Sequence, residues 1–340
     1  MALRSISKPN AVPLMQQSWR MPSLTIVPAV SALGEAATIA PNATDADAQA
    51  SHRLLACTAV GLFMLALLMH YAKLRIDPWR ASDLPYYAAG LFLLALRFGM
   101  TRTGWRHATA VARLAEYVAI FALMSLIGAI ASYPVAALTS GYADITLQRI
   151  DEAMGLDWLG WYRAVATHRS LQVLGTIAYR SIYLTPALLL WHYAKAGERD
   201  RAYRFLSGFA VAAIMTLALF SLMPAVGPLS HLWHGPIPYM PESELWQSGL
   251  IPALRAHEVH VIDLGQLRGI VSAPSFHTAA AVLYMAAAWR IPALRWPILA
   301  LNGAMLLSTP VEGTHYFIDM ILGALVAIAS LVLMRTFHKR

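Results

Sequence analysis

The sequence predicts an all-α, polytopic membrane bundle of about eight transmembrane helices. Three observations carry that prediction: 58% of the residues are hydrophobic, only 13% are charged, and the apolar residues gather in long runs. Backbone N–H and C=O groups cannot go unpaired in hydrocarbon, so an apolar run of about 20 residues reads as a spanning helix.

In chain order the expected spans are 54–74, 84–100, 112–138, 172–195, 203–223, 275–290, 294–308 and 315–337. The second, sixth and seventh are short for a bilayer, so length alone does not fix their ends. Residues 1–51 carry Arg4, Lys8 and Arg20 but are rich in Ala, Pro and Ser and interrupted by Pro9, Pro13, Pro22, Pro28 and Pro41. No secretory signal is expected there, and the segment reads as a flexible cytoplasmic tail. Residues 52–111 then supply two additional transmembrane helices, and 112–340 supply six more.

Lys and Arg orient the bundle. The net charge of +8 does not indicate nucleic acid, because the basic residues sit in short clusters between apolar runs. Arg97, Arg102, Arg106 and Arg113 form one cluster, and Lys195, Arg199, Arg201 and Arg204 another. Arg290 with Arg295, and Arg335 with Lys339 and Arg340, complete the set. Placing all of them on the cytoplasmic side puts both termini inside and segments 139–171, 224–274 and 309–314 outside. Lys73, Arg75 and Arg80 run against that rule.

Residues 142–163 alternate Ile145, Leu147, Ile150, Met154, Leu156 and Trp158 with Asp144, Arg149, Asp151 and Glu152. The pattern fits an amphipathic helix at the membrane interface, anchored by Trp158 and Trp161, and equally an ordinary extramembrane helix packed on the bundle. Cys57 is the only cysteine, which excludes an intrachain disulfide and a thiolate metal cluster. Two matching halves, expected of a transporter built on inverted repeats, are absent from the sequence.

Three ionisable residues stand at the outer ends of expected spans: His277, His315 and Asp319. His315 and Asp319 are four apart, which on a helix puts them on one face, so the carboxylate can accept the proton of one ring nitrogen and leave the other as a nucleophile. An Asp near the start of a spanning helix faces the bundle interior and needs a partner. His277 follows Pro274 and Ser275, a pair suited to opening a helix whose first N–H groups would receive a phosphate. A phosphate held there could be attacked by His315 while His277 protonates the departing oxygen and later deprotonates the acceptor. Taken singly, each histidine reads more simply as a packed or solvated residue; their combination favours chemistry.

At these residues the sequence resembles the type 2 phosphatidic acid phosphatase superfamily of membrane lipid phosphatases and phosphotransferases, over residues 142–334. The family's Pro-Ser-Gly-His motif is similar to Pro274-Ser275-Phe276-His277. Its Ser-Arg…His…Asp motif is similar to Ser308-Thr309 with His315 and Asp319. The resemblance implies a six-helix catalytic core within 112–340, His315 as phosphohistidine nucleophile, Asp319 as its orienting carboxylate and His277 as acid/base. Thr309 stands where the family has a phosphate-gripping Arg, and no Lys-x6-Arg-Pro motif precedes Pro274. Phe276, the His315-Tyr316 pair, Gly323 and Pro224-Ala225-Val226-Gly227-Pro228 resemble the branch with fungal inositol phosphorylceramide synthase, which moves a phosphoinositol head group.

With Thr309 uncharged, another cation should offset the phosphate. Arg268 in the outer loop and Arg180 in the fourth span are the candidates, with Ser275 beside them; for Arg180 an ion pair with a structural carboxylate such as Glu312 is the equal alternative. His231, His234, His257 and His260 lie in a proline-rich stretch with no carboxylate or Cys at a familiar spacing, so neither metal nor cofactor is expected. The expected function is a metal-independent lipid phosphatase or phosphotransferase of the inner cell membrane, acting at its non-cytoplasmic face on a membrane lipid phosphate, with no nucleic-acid partner. The alternatives are a proton-coupled transporter using the three residues as a relay and a catalytically silent member of the fold.

Overall fold

The computed structural model describes residues 43–337, so the tail assigned to 1–51 lies outside the described residues up to Asn42. Its helices are α1 (Ala43–Tyr71), α2 (Leu84–Met100), α3 (Ala108–Ala137), α4 (Asp144–Ala153), α5 (Trp158–Thr167), α6 (Arg169–Arg180) and α7 (Leu184–Ala196). They continue with α8 (Arg199–Leu222), α9 (Pro228–Leu232), α10 (Trp246–Arg255), α11 (Phe276–Ala288), α12 (Pro292–Glu312) and α13 (Phe317–Phe337). The chain is an all-α membrane bundle. Five segments are long and apolar enough to cross a membrane: Leu54–Tyr71 of α1, α3, α6 with α7, α8, and Phe317–Thr336 of α13. The shorter α2 and α11, and α12, pack among them.

Two expected elements are each divided. The span at 172–195 is α6 and α7 joined by a turn at 181–183, where the Ser181 hydroxyl donates back to Ala178 O and Pro186 follows in the first turn of α7. The helix expected over 142–163 is α4 and α5. Gly155, at φ +72°, ends the first, and the Asp157 carboxylate caps the second by accepting from Gly160 N.

The core lies where α3, α7, α8, α11 and α13 meet. Tyr117, Leu189, Leu206, Phe209, Tyr284 and Val326 are buried together there with Ala279 and Ala280 of α11. The small side chains on α11 let neighbouring backbones approach closely, as membrane helix packing requires. The closest approach is at Gly323 of α13, where a Cβ would strike the carbonyl of Ser275.

The loops sort onto two ends. Those at 138–144, 223–228, 268–275 and 309–316 are bonded to one another: Ala143 N donates to Pro224 O, the Ser272 hydroxyl to Ala225 O, and Ser275 N to Asp319 O. The α1–α2 loop joins this end. Arg75–Ile76 (β1) pairs in parallel with Val261–Ile262 (β2), Arg80 bonds the Asp263 carboxylate at 3.0 Å, and buried Asp83 accepts from Leu264 N. Local acidic partners thus hold Arg80 at the end where the positive-charge rule did not place it. Arg97, Arg113, Arg199, Arg204, Arg295 and Arg335 lie toward the opposite ends of their helices, and Arg290 lies in the turn between α11 and α12.

Gly323→Ala is expected to lower the unfolding temperature in detergent, at a cost of about 1–3 kcal/mol from overpacking. Gly208→Ala, whose methyl would meet only the Ser330 hydroxyl at 3.7 Å and the Met334 side chain at 3.9 Å, is expected to unfold near the wild-type temperature. Thermal unfolding of the purified variants checks both.

Candidate active site

The joined loops bring His277, His315 and Asp319 together. His277 enters from the first turn of α11. Ser275 is its N-cap, with the hydroxyl accepting from Thr278 N at 3.3 Å and from the Thr278 hydroxyl at 3.2 Å. That hydroxyl is buried and accepts both bonds that start the helix. Among the described residues the backbone N–H groups of Phe276 and His277 have no acceptor, which leaves two donors and the positive end of the helix dipole facing the site.

His315 is held in the short connection between α12 and α13 and is only 3% exposed. Gly313 makes room for it, because a Cβ there would meet the imidazole edge, Thr309 O and the Tyr179 ring. The imidazole Nδ1 lies 2.7 Å from Ser272 O and 3.3 Å from Asp319 Oδ1. A carbonyl oxygen can only accept, so the proton sits on Nδ1 and Nε2 keeps its lone pair. The sequence pattern assigns this orienting role to Asp319 alone; the structure adds a backbone carbonyl that residue spacing cannot reveal. Asp319 is fully buried and its other oxygen accepts from Tyr316 N at 3.0 Å.

His277 and His315 have ring centroids 6.4 Å apart. Nitrogens on the two rings can therefore both reach a single group bound between them, each working over about 3 Å. Tyr179 of α6 backs His277, with ring centroids 4.1 Å apart, planes 15° apart, and its hydroxyl 3.2 Å from Nδ1. Nothing in the local sequence marks Tyr179 for this contact.

The surrounding frame is acidic. From α4, Asp144 accepts from Val226 N and Gly227 N, both at 3.0 Å, and from the Tyr316 hydroxyl at 3.1 Å. Asp151, two turns further along the same face of α4, accepts from Phe317 N and Ile318 N at 2.8 Å and so caps α13. Burial pushes the Asp151 carboxyl above the ordinary carboxylate range, while those two N–H groups pull it back down. Gly227, at φ +91°, is required because a Cβ would crowd Thr314 O. Both aspartates read in the sequence as the polar side of an amphipathic helix; a pattern of polarity does not distinguish a solvated carboxylate from one aimed at buried N–H groups.

The two candidate cations have partners of their own. Arg268 rests over the Trp246 ring at 4.9 Å, and its backbone N–H bonds the Tyr133 hydroxyl; its ring contact and hydrogen bonds are not with the histidines. Arg180 forms a two-pronged pair with Glu242, at 2.6 and 2.9 Å, and its side chain is 67% exposed. Its carboxylate partner is thus Glu242, whereas Glu312 accepts from the Tyr239 hydroxyl and from Glu242 N. Thr309 is buried, and its hydroxyl donates back to Met305 O. Among the described residues no group of three or more His, Cys, Asp or Glu side chains is placed to hold a metal ion.

A family model described as the PAP2 superfamily matches residues 145–333, more than half of the chain. No curated protein and no solved structure matches.

Asp144→Ala would strand two backbone N–H groups and a tyrosine hydroxyl, so it is expected to destabilise the fold by about 2–3 kcal/mol, with loss of any turnover at the histidines. Circular dichroism on heating and an activity measurement on the same sample test this; an unchanged unfolding temperature would contradict it.

Proposed function

The chain belongs to the PAP2 superfamily, and from that premise we propose that it is a membrane lipid phosphatase or phosphotransferase working through a phosphohistidine on His315. Members of this superfamily are phosphatases and phosphotransferases, so an enzyme of that general type is the starting point. The observation that supports the finer reading is the bond from His315 Nδ1 to Ser272 O, which leaves the lone pair on Nε2, in a ring whose centroid lies 6.4 Å from that of His277.

The substrate phosphate binds at the start of α11 against the N–H groups of Phe276 and His277. Nε2 of His315 attacks phosphorus, the bond from phosphorus to the leaving oxygen breaks, and His277 as imidazolium gives that oxygen a proton. Positive charge grows on the His315 ring during attack, and the buried Asp319 carboxylate 3.3 Å from Nδ1 stabilises it. In the second half, His277 takes a proton from water or an alcohol, whose oxygen attacks the phosphohistidine and restores the His315 lone pair. No step requires a metal ion.

Arg180 is the better placed of the two cations to offset the phosphate charge, since it follows Tyr179, the residue stacked on His277; it would have to exchange Glu242 for the substrate. Arg268 is assigned to substrate approaching along the outer loop. The gathering of arginines at the other end of the bundle supports a site at the non-cytoplasmic face of the cell membrane. The branch resemblance favours a lipid carrying a phosphoinositol-type head group as donor. Tyr316, Gly323 and the 224–228 segment, on which part of that resemblance rests, serve here as structural joints between loops.

Purified protein in detergent with a chelator is expected to release or transfer phosphate from a radiolabelled lipid panel that includes phosphatidic acid and phosphatidylinositol. His315→Ala should lose all turnover, and His277→Ala roughly 100- to 10,000-fold. Full activity in His315→Ala would remove the nucleophile assignment, and loss of activity in chelator would contradict the metal-free scheme. Arg180→Gln should raise KM more than it lowers kcat.

A further inference from the structure

The two histidines have unlike surroundings. His315 Nδ1 meets Asp319 Oδ1 at 3.3 Å and Ser272 O at 2.7 Å. Among the described residues no carboxylate lies within ion-pair distance of His277. What it has is the ring of Tyr179, 4.1 Å away between centroids and 15° from parallel. No step of the transfer through His315 uses that ring. The Tyr179 hydroxyl is 3.2 Å from His277 Nδ1, yet near-parallel rings at this separation put the oxygen over the imidazole face, out of line with the lone pair or N–H that lies in the ring plane. The contact is therefore made face to face.

Packing of α6 holds Tyr179 in that place. Gly175 lies against the end of α12, where a Cβ would stand 2.9 Å from Glu312 Oε1. Tyr179 is four residues further along, on the same face of the helix, and α6 ends one residue later at Arg180. The ring also borders the α12–α13 connection: a Cβ on Gly313 would lie 3.1 Å from Tyr179 Cε2 and 2.5 Å from the His315 imidazole. The glycine thus lets one aromatic ring adjoin both histidines. Ser275 caps α11 and so fixes the backbone of His277, but the side-chain torsions of His277 can still turn its ring unless a neighbour holds the plane.

We infer that Tyr179 is the positioning residue of His277: its ring face sets the plane of the imidazole so that a ring N–H points at the leaving oxygen. The inference rests on His277 serving as acid and base in the proposed phosphoryl transfer. A face-on aromatic ring suits that role. Its negative face attracts the positive charge of an imidazolium. Unlike a carboxylate, it offers no in-plane acceptor to draw the proton away from the leaving oxygen. His315 has the opposite need, because the charge that stays on a phosphohistidine ring gains from a fixed carboxylate. Unlike partners thereby divide two imidazoles into one that holds a phosphoryl group and one that gives and takes a proton.

The test compares leaving groups. Tyr179→Leu removes the ring face, and kcat/KM for the lipid that the wild type turns over should fall about tenfold or more. For p-nitrophenyl phosphate, whose leaving oxygen departs without a proton, the fall should be no more than about twofold. Tyr179→Phe keeps the face and should recover most of the lipid rate. Equal losses on the two substrates would mark a purely structural role and overturn the inference. So would a Tyr179→Phe as slow as Tyr179→Leu, because the hydroxyl would then be the working group. Proton resonances of the histidine rings, recorded on the full chain in detergent, read the stack without turnover. The His277 signals, assigned by their loss in His277→Gln, should lie upfield in the wild type and in Tyr179→Phe, and return to the ordinary range in Tyr179→Leu. Unshifted wild-type signals would overturn the inference by themselves. Upfield signals in a wild type that turns over neither substrate would bear out the hold of Tyr179 on the imidazole and count against the phosphoryl-transfer reading instead.

Discussion

Backbone N–H groups at the histidine-bearing end of the bundle must find acceptors where little water reaches, and in this protein three buried carboxylates supply them. Asp144 takes two N–H groups of the 224–228 segment, Asp151 takes the first two of α13, and Asp319 takes Tyr316 N. Each carboxylate satisfies loop or helix-end donors that would otherwise cost about 1–3 kcal/mol apiece. Together they fix four loops into one surface. His277, His315 and Asp319 occupy that surface, so their geometry follows from how the ends of the helices are capped.

The same economy of partners sets the chemistry of His315. Its Nδ1 meets a backbone carbonyl, an acceptor that cannot rotate or change protonation, with Asp319 in support. An imidazole oriented by main chain depends on the 268–275 loop keeping its place, and that loop is pinned by the Ser272 hydroxyl on Ala225 O and by Ser275 N on Asp319 O. Gly313, Gly227 and Gly323 mark where the chain passes too close to itself for a side chain. Rigidity at those points is what preorganises the site.

The membrane class and the helical architecture were legible in the sequence because hydrocarbon imposes a length and composition that few other environments do. The grouping of His277 with His315 and Asp319 was legible because motif spacing puts His277 in the first turn of one helix and the other two, four apart, around the start of another, although His315 itself lies in the connection before α13. Less accessible were features that depend on what a side chain points at: Asp144 and Asp151 look like solvated residues of an amphipathic stretch, and Tyr179 gives no local sign that it will stack on His277. The division of the fourth span at 181–183 was hidden because both halves are apolar. For Arg180 a structural carboxylate such as Glu312 was one of two equal readings, and the actual partner, Glu242, comes from a loop whose path the sequence does not encode in any periodic way.

The central claim is a covalent intermediate on one imidazole, and the stereochemical course at phosphorus tests it most directly. With a substrate made chiral at phosphorus by oxygen isotopes, two successive in-line displacements, first by His315 and then by the acceptor, predict overall retention of configuration. Inversion would mean that the acceptor attacks the lipid phosphate in a single step, and the phosphohistidine account would fail.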